Sequence, residues 1–428
     1  MNNEFKLMNL KGTNDFLPEE QIIRNKITDT LRKYFELYGF LPLETPQLCY
    51  YDLLASKYAG GSEILKEVYK FSDQGTRQIG LRYDLTVPFS KVIGMNKGLI
   101  LPFKRYEIGK VFRDGPVKLG RAREFYQCDV DACGVESPAA EIEYFNMTKK
   151  VFGEFDIDIE IRFNNRKFLS GLLEYSGVLK ENIPAFITSV DKLDKMTREE
   201  VEKELIVHTD KLVIDKVFNY FNYSFNDLKN ELENTNIEIL VQGLEELDKL
   251  INLINELGLN DTCIFTPFLA RGLEIYTGSV WEIFDKSKKF KSALGAGGRY
   301  DKIITNFLHN GNEYPAIGMS FGLEPIYELL RQRSNNKVVK YDVYVYAFDI
   351  DKNLFEISEL LRNNNLKVLT ELNSIKLKKA MNTANRENIK YVVIIGEDEL
   401  KCNSVSLKNM ITGEQEIVKI DELVNKIN

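Results

Sequence analysis

The apolar positions near the N-terminus follow a helical period, and those further along follow the pattern of strands. Between residues 20 and 37, apolar side chains recur every three or four positions from Ile22 to Leu37, and the run stops at Gly39. This spacing predicts a helix. Three later segments are rich in Tyr, Phe, Val and Ile: 79–85, 104–112 and 124–133. Turn residues such as Gly115 and Pro116 lie between them, and strand patterns in series predict an antiparallel sheet.

The pattern changes twice more in the second half of the chain. From about residue 189 to 259 the composition shifts to Lys, Glu, Asn and Leu, and the apolar residues from Leu244 to Leu257 share one helical face. This predicts a helical insertion. Residues 331–340 are polar and predict a linker. Strand and helix patterns then alternate over 341–428, which predicts a small parallel α/β domain after a larger domain over residues 1–330.

Composition narrows the class of protein. The chain has 428 residues, 44% hydrophobic and 28% charged, which allows two or three globular domains and excludes a disordered or fibrous protein. Its longest apolar runs are far shorter than the roughly 20 residues of a membrane-spanning helix, and the first ten residues lack the apolar core of a signal peptide. Five cysteines without a C-x-x-C pair, and two histidines, predict neither a disulfide framework nor a metal site. We expect a soluble cytoplasmic protein with no membrane partner.

Net charge limits how the chain binds nucleic acid. A net charge of −7 argues against a protein whose whole surface coats nucleic acid, because such binding depends on neutralised phosphates. A basic run lies between Lys104 and Arg123, with seven Lys or Arg against two acids. On charge alone, a solvated hairpin is the better interpretation of that run.

Glycines and arginines concentrate in the segments with candidate chemistry. Residues 295–301, Gly-Ala-Gly-Gly-Arg-Tyr-Asp, form neither a P-loop nor a dinucleotide fingerprint, so a tight turn is favoured over a nucleotide site. Five arginines lie in or beside predicted strands or glycine turns: Arg113, Arg121, Arg123, Arg271 and Arg299. Guanidinium groups suit the phosphate or carboxylate of a ligand, but carboxylates such as Glu282 in the same segments could equally pair with them. Residue type alone leaves both interpretations open.

Short motifs in a fixed order carry a resemblance to a known family. In chain order they are Lys11–Phe16, Tyr38–Pro46, Leu81–Pro88, Phe112–Gln127, Leu269–Gly278, Ala296–Asp301 and Ile394–Leu400. Together they resemble the histidyl-tRNA synthetases, a family of class II aminoacyl-tRNA synthetases, over essentially the whole chain. Tyr38–Pro46 resembles motif 1, which builds a dimer interface, and Phe112–Gln127 resembles motif 2. The segments at 269–278 and 296–301 resemble the two histidine-specific signatures.

The resemblance implies both a fold and an activity. The fold is α+β: a class II antiparallel sheet with flanking helices, a helical insertion and a C-terminal α/β anticodon-binding domain. The activity is that of a homodimeric enzyme that uses ATP, accompanied by Mg²⁺, to join L-histidine to tRNA(His) through a histidyl-adenylate.

The resemblance also assigns the histidine-binding residues: Asp84, Thr86, Gln127, Asp131, Arg271 and Tyr276. Asp84, Thr86 and Gln127 would accept hydrogen bonds from the α-ammonium group. Asp131 and Tyr276 would meet the two imidazole nitrogens, one of which donates and one of which accepts in the neutral ring.

The same resemblance implies that Arg113 and Arg121 bind ATP, with Arg113 at the α-phosphate. Arg271 would lie between the histidine carboxylate and that phosphate, where its charge offsets the charge that develops during attack. Arg113 and Arg271 are therefore the implied catalytic residues. No residue is implied as a metal ligand.

Two positions depart from the family pattern. The segment Gly318–Ile326 resembles motif 3, yet Pro325 stands where an arginine usually binds the γ-phosphate, and Gly115 stands where an acid usually follows Arg113. A non-catalytic alternative fits these departures: a histidine-binding paralogue that resembles the regulatory subunit of ATP phosphoribosyltransferase. The presence of Arg113 and Arg271, and of the C-terminal domain, favours the enzyme.

The C-terminal domain carries the candidate tRNA contacts. Lys378 and Lys379 fall on the helix predicted at 375–388, with further basic residues near them. A solvated helix face is the ordinary interpretation of such charges. Together with the resemblance, the pattern predicts contacts with tRNA phosphates.

Overall fold

The computed structural model describes residues 7–56, 63–117, 122–193, 196–271, 275–333 and 338–427. The chain divides into two compact units, Met1–Asp15 with Arg24–Arg331, and Phe16–Ile23 with Gln332–Asn428. Within the described ranges, no helix is both long and apolar enough to cross a membrane.

The first unit contains short and long strands separated by helices. Its strands are β1 (Leu41–Pro42), β2 (Leu48–Tyr50), β3 (Lys70–Ser72), β4 (Gln78–Leu81), β5 (Phe103–Phe112), β6 (Glu124–Cys133), β7 (Ile159–Asn165), β8 (Cys263–Phe265), β9 (Ser279–Asp285), β10 (Gly295–Arg299) and β11 (Ala316–Gly322). The helices up to residue 333 are α1 (Pro18–Leu37), α2 (Tyr51–Ser56), α3 (Thr86–Met95), α4 (Ala140–Gly153), α5 (Arg166–Ser176), α6 (Ile183–Val190), α7 (Arg198–Leu205), α8 (Lys211–Tyr220), α9 (Phe225–Leu232), α10 (Glu238–Glu256), α11 (Asp301–Leu308) and α12 (Leu323–Arg333).

A large sheet organises this unit, with strand order β1-β5-β6-β11-β10-β9-β7-β8. The six strands from β5 to β7 in that order are antiparallel to their neighbours, while β1 and β8 are added in parallel at the two edges. The antiparallel sheet predicted from the sequence is therefore confirmed. Strands β2, β4 and β3 form a separate small sheet.

The two faces of the large sheet differ in side-chain size. On one face, large rings pack against helices: Phe321 lies 5.7 Å from Phe35 of α1, and Trp281 lies 5.8 Å from Tyr144 of α4, between ring centroids. Residues opposite each other in adjacent strands share a face. We call the other face of the large sheet the floor. The strand register places these residues on it: Arg105, Glu107, Gly109, Gln127, Asp129, Asp131, Gly318, Ser320, Gly322, Ala296, Gly298 and Glu282. Small side chains at its centre leave room above the sheet.

The strand predicted at 79–85 ends earlier than its apolar pattern suggests. β4 stops at Leu81, and the Asp84 carboxylate accepts hydrogen bonds from the backbone N–H groups of Thr86 (3.1 Å) and Val87 (3.0 Å). Those N–H groups have no partner inside the helix. Asp84 therefore starts helix α3 where a strand was expected.

Helices follow one another from α6 to α10 across the region where the sequence predicts a helical insertion. The apolar face of α10 is buried through leucines such as Leu244 and Leu247 and through Ile254. The predicted linker is shorter than expected at its start, because Arg331–Arg333 form the last turn of α12.

The second unit contains β12 (Val343–Ala347), β13 (Val368–Thr370), β14 (Tyr391–Ile395), β15 (Ser404–Asn409) and β16 (Gln415–Lys419), with α13 (Lys352–Arg362), α14 (Leu377–Arg386), α15 (Glu397–Lys401) and α16 (Leu423–Ile427). The strand order is β13-β12-β14-β15-β16. The first three strands, which correspond to the three strands predicted from the sequence, are parallel as predicted. The sequence analysis did not predict β15 and β16, which extend the sheet in antiparallel orientation. Successive residues of β12 face opposite sides: Val343 packs with Leu354 of α13, and Tyr344 with Ala380 of α14.

Candidate active site

Strand β6 places three polar side chains on the floor, because Gln127, Asp129 and Asp131 alternate along it. Asp131 is 4% exposed and forms an ion pair with Arg105, whose Nη2 lies 2.8 Å from Asp131 Oδ2. The Tyr300 hydroxyl donates to Asp131 Oδ1. A Cβ atom on Gly318 would lie 1.9 Å from that same oxygen. The absence of a side chain at position 318 is therefore what gives the Asp131 carboxylate its place.

Arg105 is fully buried beneath the site. Its Nη2 also donates to the Leu85 carbonyl at 3.1 Å, and its guanidinium lies 4.6 Å from the Phe89 ring centroid. Burial acts to lower the pKa of Arg105, but Asp131 and Asp129 outweigh it, so the pKa is raised and the charge is retained. The solvated hairpin suggested by the basic run at 104–123 is thus wrong for this residue, because β5 is an inner strand.

A second buried ion pair involves Glu107, the next residue after Arg105 on the floor face of β5. Arg82 Nη1 lies 2.6 Å from Glu107 Oε1 and also donates to the Thr45 carbonyl at 2.7 Å. Thr45 in turn donates its backbone N–H to Glu107 at 3.0 Å. This network links the end of β4 to β5 and to the segment after β1.

Asp129 lies between these two ion pairs and is 5% exposed. Gln127 Nε2 donates to its Oδ1 at 3.4 Å. Burial raises the pKa of Asp129 to about 7, and the neighbouring Asp131 adds to the rise, while Arg105 acts against it. Asp129 was not among the residues selected from the sequence.

Arg271 and Tyr276 border the floor from the loop before β9. Arg271 Nη1 lies 2.5 Å from Glu282 Oε1, and its guanidinium lies 5.8 Å from the centroid of the Tyr276 ring. Burial acts to lower the pKa of Arg271, but Tyr276 and Glu282 raise it. The Tyr276 ring covers Gly298, where an added Cβ would lie 2.6 Å from the ring. Gly298 of β10 pairs with Gly318 of β11, and Gly318 pairs with Asp131 of β6. The Tyr276 ring therefore lies over β10, while the Asp131 carboxylate reaches from β6 over the intervening strand β11.

Arg113 lies just beyond β5, between two aromatic rings. Its guanidinium carbon is 4.2 Å from the centroid of Tyr83 and 4.9 Å from that of Phe125. Within the part of the chain that the structure describes, no carboxylate forms an ion pair with it. Its Nε donates to the Tyr83 carbonyl at 3.5 Å. A guanidinium placed against two rings in this way suits a phosphate group, to which its remaining N–H groups can donate.

The other arginines in question have internal partners. Arg123 pairs with Asp114 at 3.4 Å. Arg299 donates to the Val135 carbonyl (2.6 Å) and the Ser137 carbonyl (2.9 Å), and pairs with Glu141. Arg299 therefore ties β10 to α4 and to the loop before it. The glycine segment from residue 295 is neither a tight turn nor a nucleotide loop, because residues 295–299 form the inner strand β10.

Not all sequence-selected residues lie together. Asp84, Thr86, Gln127, Asp131, Arg271, Tyr276 and Arg113 all belong to the first unit, around the floor. Arg121 lies outside the described residues. Lys378 and Lys379 belong to α14 of the second unit and are exposed.

Pro325 lies in the first turn of α12, at the end of the floor. Arg331 lies six residues after Pro325, a rise of roughly 9 Å along α12. Arg331 pairs with Glu328 at 3.0 Å.

Arg105, Tyr300, Glu107 and Asp129 are site residues that the sequence-based selection missed. The alternation of Gln127 and Asp131 at an even spacing was an available signal, because it places the residue between them, Asp129, on the same face. Arg105 carried no signal of this kind, since a charged residue in a basic run ordinarily faces solvent.

Fold and site together define a class II aminoacyl-tRNA synthetase: an antiparallel sheet whose polar floor is bordered by an arginine held between rings and an arginine paired with an acid. The family model described as histidyl-tRNA synthetase matches residues 12–326, and that of the anticodon binding domain matches residues 342–428. The chain belongs to the histidyl-tRNA synthetase family.

Individual relatives agree with this assignment. Histidine–tRNA ligase 1 of Bacillus cereus is 46% identical over 424 residues, covering 98% of this chain and 99% of that protein. Histidine–tRNA ligase of Clostridium acetobutylicum is 34% identical over 440 residues, covering 99% of this chain and 100% of that protein. The crystal structure of a histidyl-tRNA synthetase from Nostoc has a TM-score of 0.88 at 28% identity and covers 99% of each chain.

A regulatory subunit is also among the similar structures. The protein from Bacillus halodurans described as an ATP phosphoribosyltransferase regulatory subunit/histidyl-tRNA synthetase has a TM-score of 0.76 at 19% identity, covering 92% of this chain and 99% of that one. At this identity the likeness shows the fold alone, and the regulatory alternative is not favoured.

Proposed function

We propose that this chain joins L-histidine to ATP as histidyl-adenylate, with release of pyrophosphate, and then transfers the histidyl group to the 3′ end of tRNA(His). The observation that carries the proposal is the position of the Tyr276 ring over Gly298 and of the Asp131 carboxylate over the paired residue Gly318, in a member of the histidyl-tRNA synthetase family. Family membership implies the use of ATP.

The floor supplies polar partners for both ends of histidine. In our proposal, Asp131 and Tyr276 bind the two imidazole nitrogens, one as acceptor and one as donor. Arg105 and Tyr300 both contact the Asp131 carboxylate and hold it in position. A side chain that cannot pair with these buried groups is rejected, because it leaves them unpaired.

Asp84, Thr86 and Gln127 bind the α-ammonium group in this proposal. Asp84 accepts hydrogen bonds from the first N–H groups of α3, which fix the position of its carboxylate at the border of the floor. The Gln127 side chain carries a buried oxygen, Oε1, for which the described residues provide no hydrogen-bond partner.

Two arginines carry the chemistry. Arg113, held between Tyr83 and Phe125, binds the α-phosphate of ATP, and Arg121 contributes a further ATP contact. Arg271 lies between the histidine carboxylate and the phosphate, with Glu282 fixing its guanidinium. As the carboxylate attacks phosphorus and pyrophosphate leaves, these charges stabilise the transition state without reorganising. No covalent enzyme intermediate is required, because holding two anions in line supplies much of the rate enhancement.

Magnesium accompanies ATP in this proposal and neutralises phosphate charge, held largely by the phosphates themselves. Among the described residues, no group of three acidic, His or Cys side chains is arranged to hold a metal ion without such a ligand. Pro325 contributes no contact to the γ-phosphate, so binding of the triphosphate depends more heavily on the remaining arginines.

Histidine-dependent exchange of labelled pyrophosphate into ATP, measured on the purified chain, tests the first half-reaction. We expect exchange with L-histidine and none above background with L-glutamine or L-phenylalanine. Charging of a tRNA(His) transcript with labelled histidine tests the second half-reaction. Absence of exchange with every amino acid, combined with measurable histidine binding, would favour the non-catalytic paralogue.

We further propose a homodimer, with residues 1–330 as catalytic domain (helical insertion at about 189–259) and residues 341–428 as anticodon-binding domain. The linker expected at 331–340 begins in this proposal only after α12, which ends at Arg333. The edge of the large sheet supports the dimer. β1 covers only Arg105 and Tyr106 of β5, and exposed apolar residues follow it, including Leu48 (56%) and Tyr50 (61%). A cavity of about 910 Å³ lies at this edge, lined by Tyr106 and Lys110 among others. A cytoplasmic location is part of the same proposal.

The tRNA contact in our proposal uses the start of α14. Lys378 and Lys379 lie in the first turn of this helix and are exposed, with Lys376 immediately before them. The positive end of the helix dipole adds to their charge, so this corner of the unit suits a phosphate backbone.

A further inference from the structure

The floor holds more negative than positive charge. Its buried ionisable groups are Glu107, Asp129, Asp131 and Arg105, together with Arg82 and Asp84 at the border. Arg82 pairs with Glu107 at 2.6 Å, and Arg105 pairs with Asp131 at 2.8 Å. Within the described ranges, no lysine, arginine or histidine side chain forms an ion pair with Asp129. Two arginines thus face four acids.

The surroundings of Asp129 leave its charge uncompensated. Across the sheet it faces Glu107 on β5 and Ser320 on β11. Its hydrogen-bond donors are neutral: the amide of Gln127, at 3.4 Å, and the side chain of Ser320. Burial and the charges of Asp131 and Asp84 raise its pKa, against the effects of Arg105 and of the hydrogen bond from Ser320. A buried carboxylate in this setting is costly in its charged form and therefore favours a ligand that brings a positive charge.

We propose that Asp129 is a further substrate-binding residue, the counter-ion of the histidine α-ammonium group. This inference rests on the proposed function. The residues that the family resemblance assigns to the ammonium include one acid, Asp84, and that acid already accepts two backbone hydrogen bonds. Gln127 is neutral and is itself bonded to Asp129. Asp129 supplies the missing charge next to Gln127, on the floor beneath the ligand.

The role predicts a selectivity for ligands that carry an amine. An ammonium group balances the Asp129 carboxylate, whereas a ligand with the same ring and no amine leaves that carboxylate to keep a proton or to remain unbalanced. The contribution of Asp129 is therefore measured by the ratio of affinities for the two kinds of ligand.

Calorimetric titration tests this with L-histidine, L-histidinol and 3-(imidazol-4-yl)propanoate, which lacks the amine. We expect Asp129→Asn to bind histidine and histidinol about tenfold to a hundredfold more weakly than the parent, because a charge-assisted hydrogen bond is lost. The propanoate should bind the variant at least as tightly as it binds the parent. Asp285→Asn is the matched control, since Asp285 is 2% exposed and lies on the opposite face of the same sheet. Equal losses for all three ligands, or no loss, would overturn the proposal.

Proton release by the parent chain provides a test that does not depend on the variant's folding. Titrations near neutral pH, in buffers of different ionisation enthalpy, should show more proton release with histidine than with the propanoate. The ammonium lowers the imidazole pKa of histidine relative to that of the propanoate, so the imidazole ionisation of each free ligand is measured separately and its contribution is subtracted. The remaining difference reports ionisation of a protein carboxyl group by the ammonium. Equal release of protons with the two ligands contradicts the role of Asp129.

The two proposals fail in different ways. A parent chain without histidine-dependent exchange contradicts the proposed function. An active parent, together with an Asp129→Asn variant whose ligand preference is unchanged, contradicts only the role of Asp129.

Discussion

The Asp131 carboxylate contacts protein groups as well as any ligand, because Arg105 and Tyr300 are both bound to it. Its removal therefore has two separable effects. We expect Asp131→Ala to weaken histidine binding and also to reduce the free energy of unfolding by about 3–5 kcal/mol, since it leaves the buried Arg105 charge unpaired. Tyr276→Phe should weaken histidine binding by about 1–3 kcal/mol with little change in stability. Calorimetry and chemical denaturation measure the two effects.

A double variant separates the ligand contact from the structural one. In Asp131→Ala with Arg105→Met, the unpaired charge is gone, so stability should recover while histidine binding stays weak. If Asp131→Ala and Tyr276→Phe both bound histidine as tightly as the parent, the assignment of the imidazole pocket to Asp131 and Tyr276 would be wrong.

Arg271 should act on the rate more than on binding. Its guanidinium is fixed by Glu282 beside the floor, and its charge opposes charge that develops only during attack. We expect Arg271→Ala to lower the rate of pyrophosphate exchange by orders of magnitude, with a smaller change in histidine affinity. Glu282→Gln keeps the arginine and should lose much less activity. Equal loss of rate and affinity in the alanine variant would mark Arg271 as a binding residue only.

Among the elements, β11 makes room for the site at one position of its floor face, Gly318, which has no side chain. An added Cβ on Gly318 would lie 1.9 Å from Asp131 Oδ1, so Gly318→Ala must displace the carboxylate. We expect the KM for histidine to rise by the equivalent of about 1–3 kcal/mol, while the KM for tRNA stays near that of the parent. Gly153→Ala is the control, because a Cβ there meets no atom within 4 Å. An unchanged KM for histidine in Gly318→Ala would show that the carboxylate position is unimportant.

Helix α14 carries the prediction for tRNA. Reversal of Lys378 and Lys379 to Glu should raise the KM for tRNA, and the effect should shrink as salt increases, because phosphate contacts release counterions. Pyrophosphate exchange needs no tRNA and should stay near the parent rate. Lys352→Glu with Lys401→Glu makes the same charge change on α13 and α15 and should affect the KM for tRNA less. An unchanged KM in the first double variant would exclude the start of α14 from the binding surface.

The elements show how far the sequence alone could lead. Strands β5 and β6 and helix α1 were predicted to within a few residues, because their side-chain patterns repeat over ten positions or more. The strand expected at 79–85 was too long, since the Asp84 carboxylate forms a helix start that an apolar pattern does not reveal. Strand β10 was missed, because a strand made mostly of glycine has no pattern, and only its neighbours explain why glycine is needed there.

The whole molecule adds the prediction of a dimer. β1, which contains Leu41, is an edge strand of the large sheet, and Leu48 follows it along the chain at the start of β2. These two leucines are 63% and 56% exposed. Such an edge favours pairing with a second chain. We expect sedimentation to show a dimer for the parent and a shift to monomer for Leu41→Glu with Leu48→Glu. Leu212→Glu, at an 84% exposed position on α8, should leave the dimer intact. A monomeric parent would contradict the proposed assembly.

Because β11 lies between β6 and β10, the histidine site cannot form until nearly the whole first unit has been synthesised. β6 is complete at Cys133, but its partner begins only at Ala316, so one edge of β6 remains unpaired while helices α4 to α10 are made. Closing so long a loop is slow, since its entropy cost comes before any contact is gained. A chain released before β11 therefore has an exposed strand edge and no histidine site, and histidine can stabilise only chains that have passed this point.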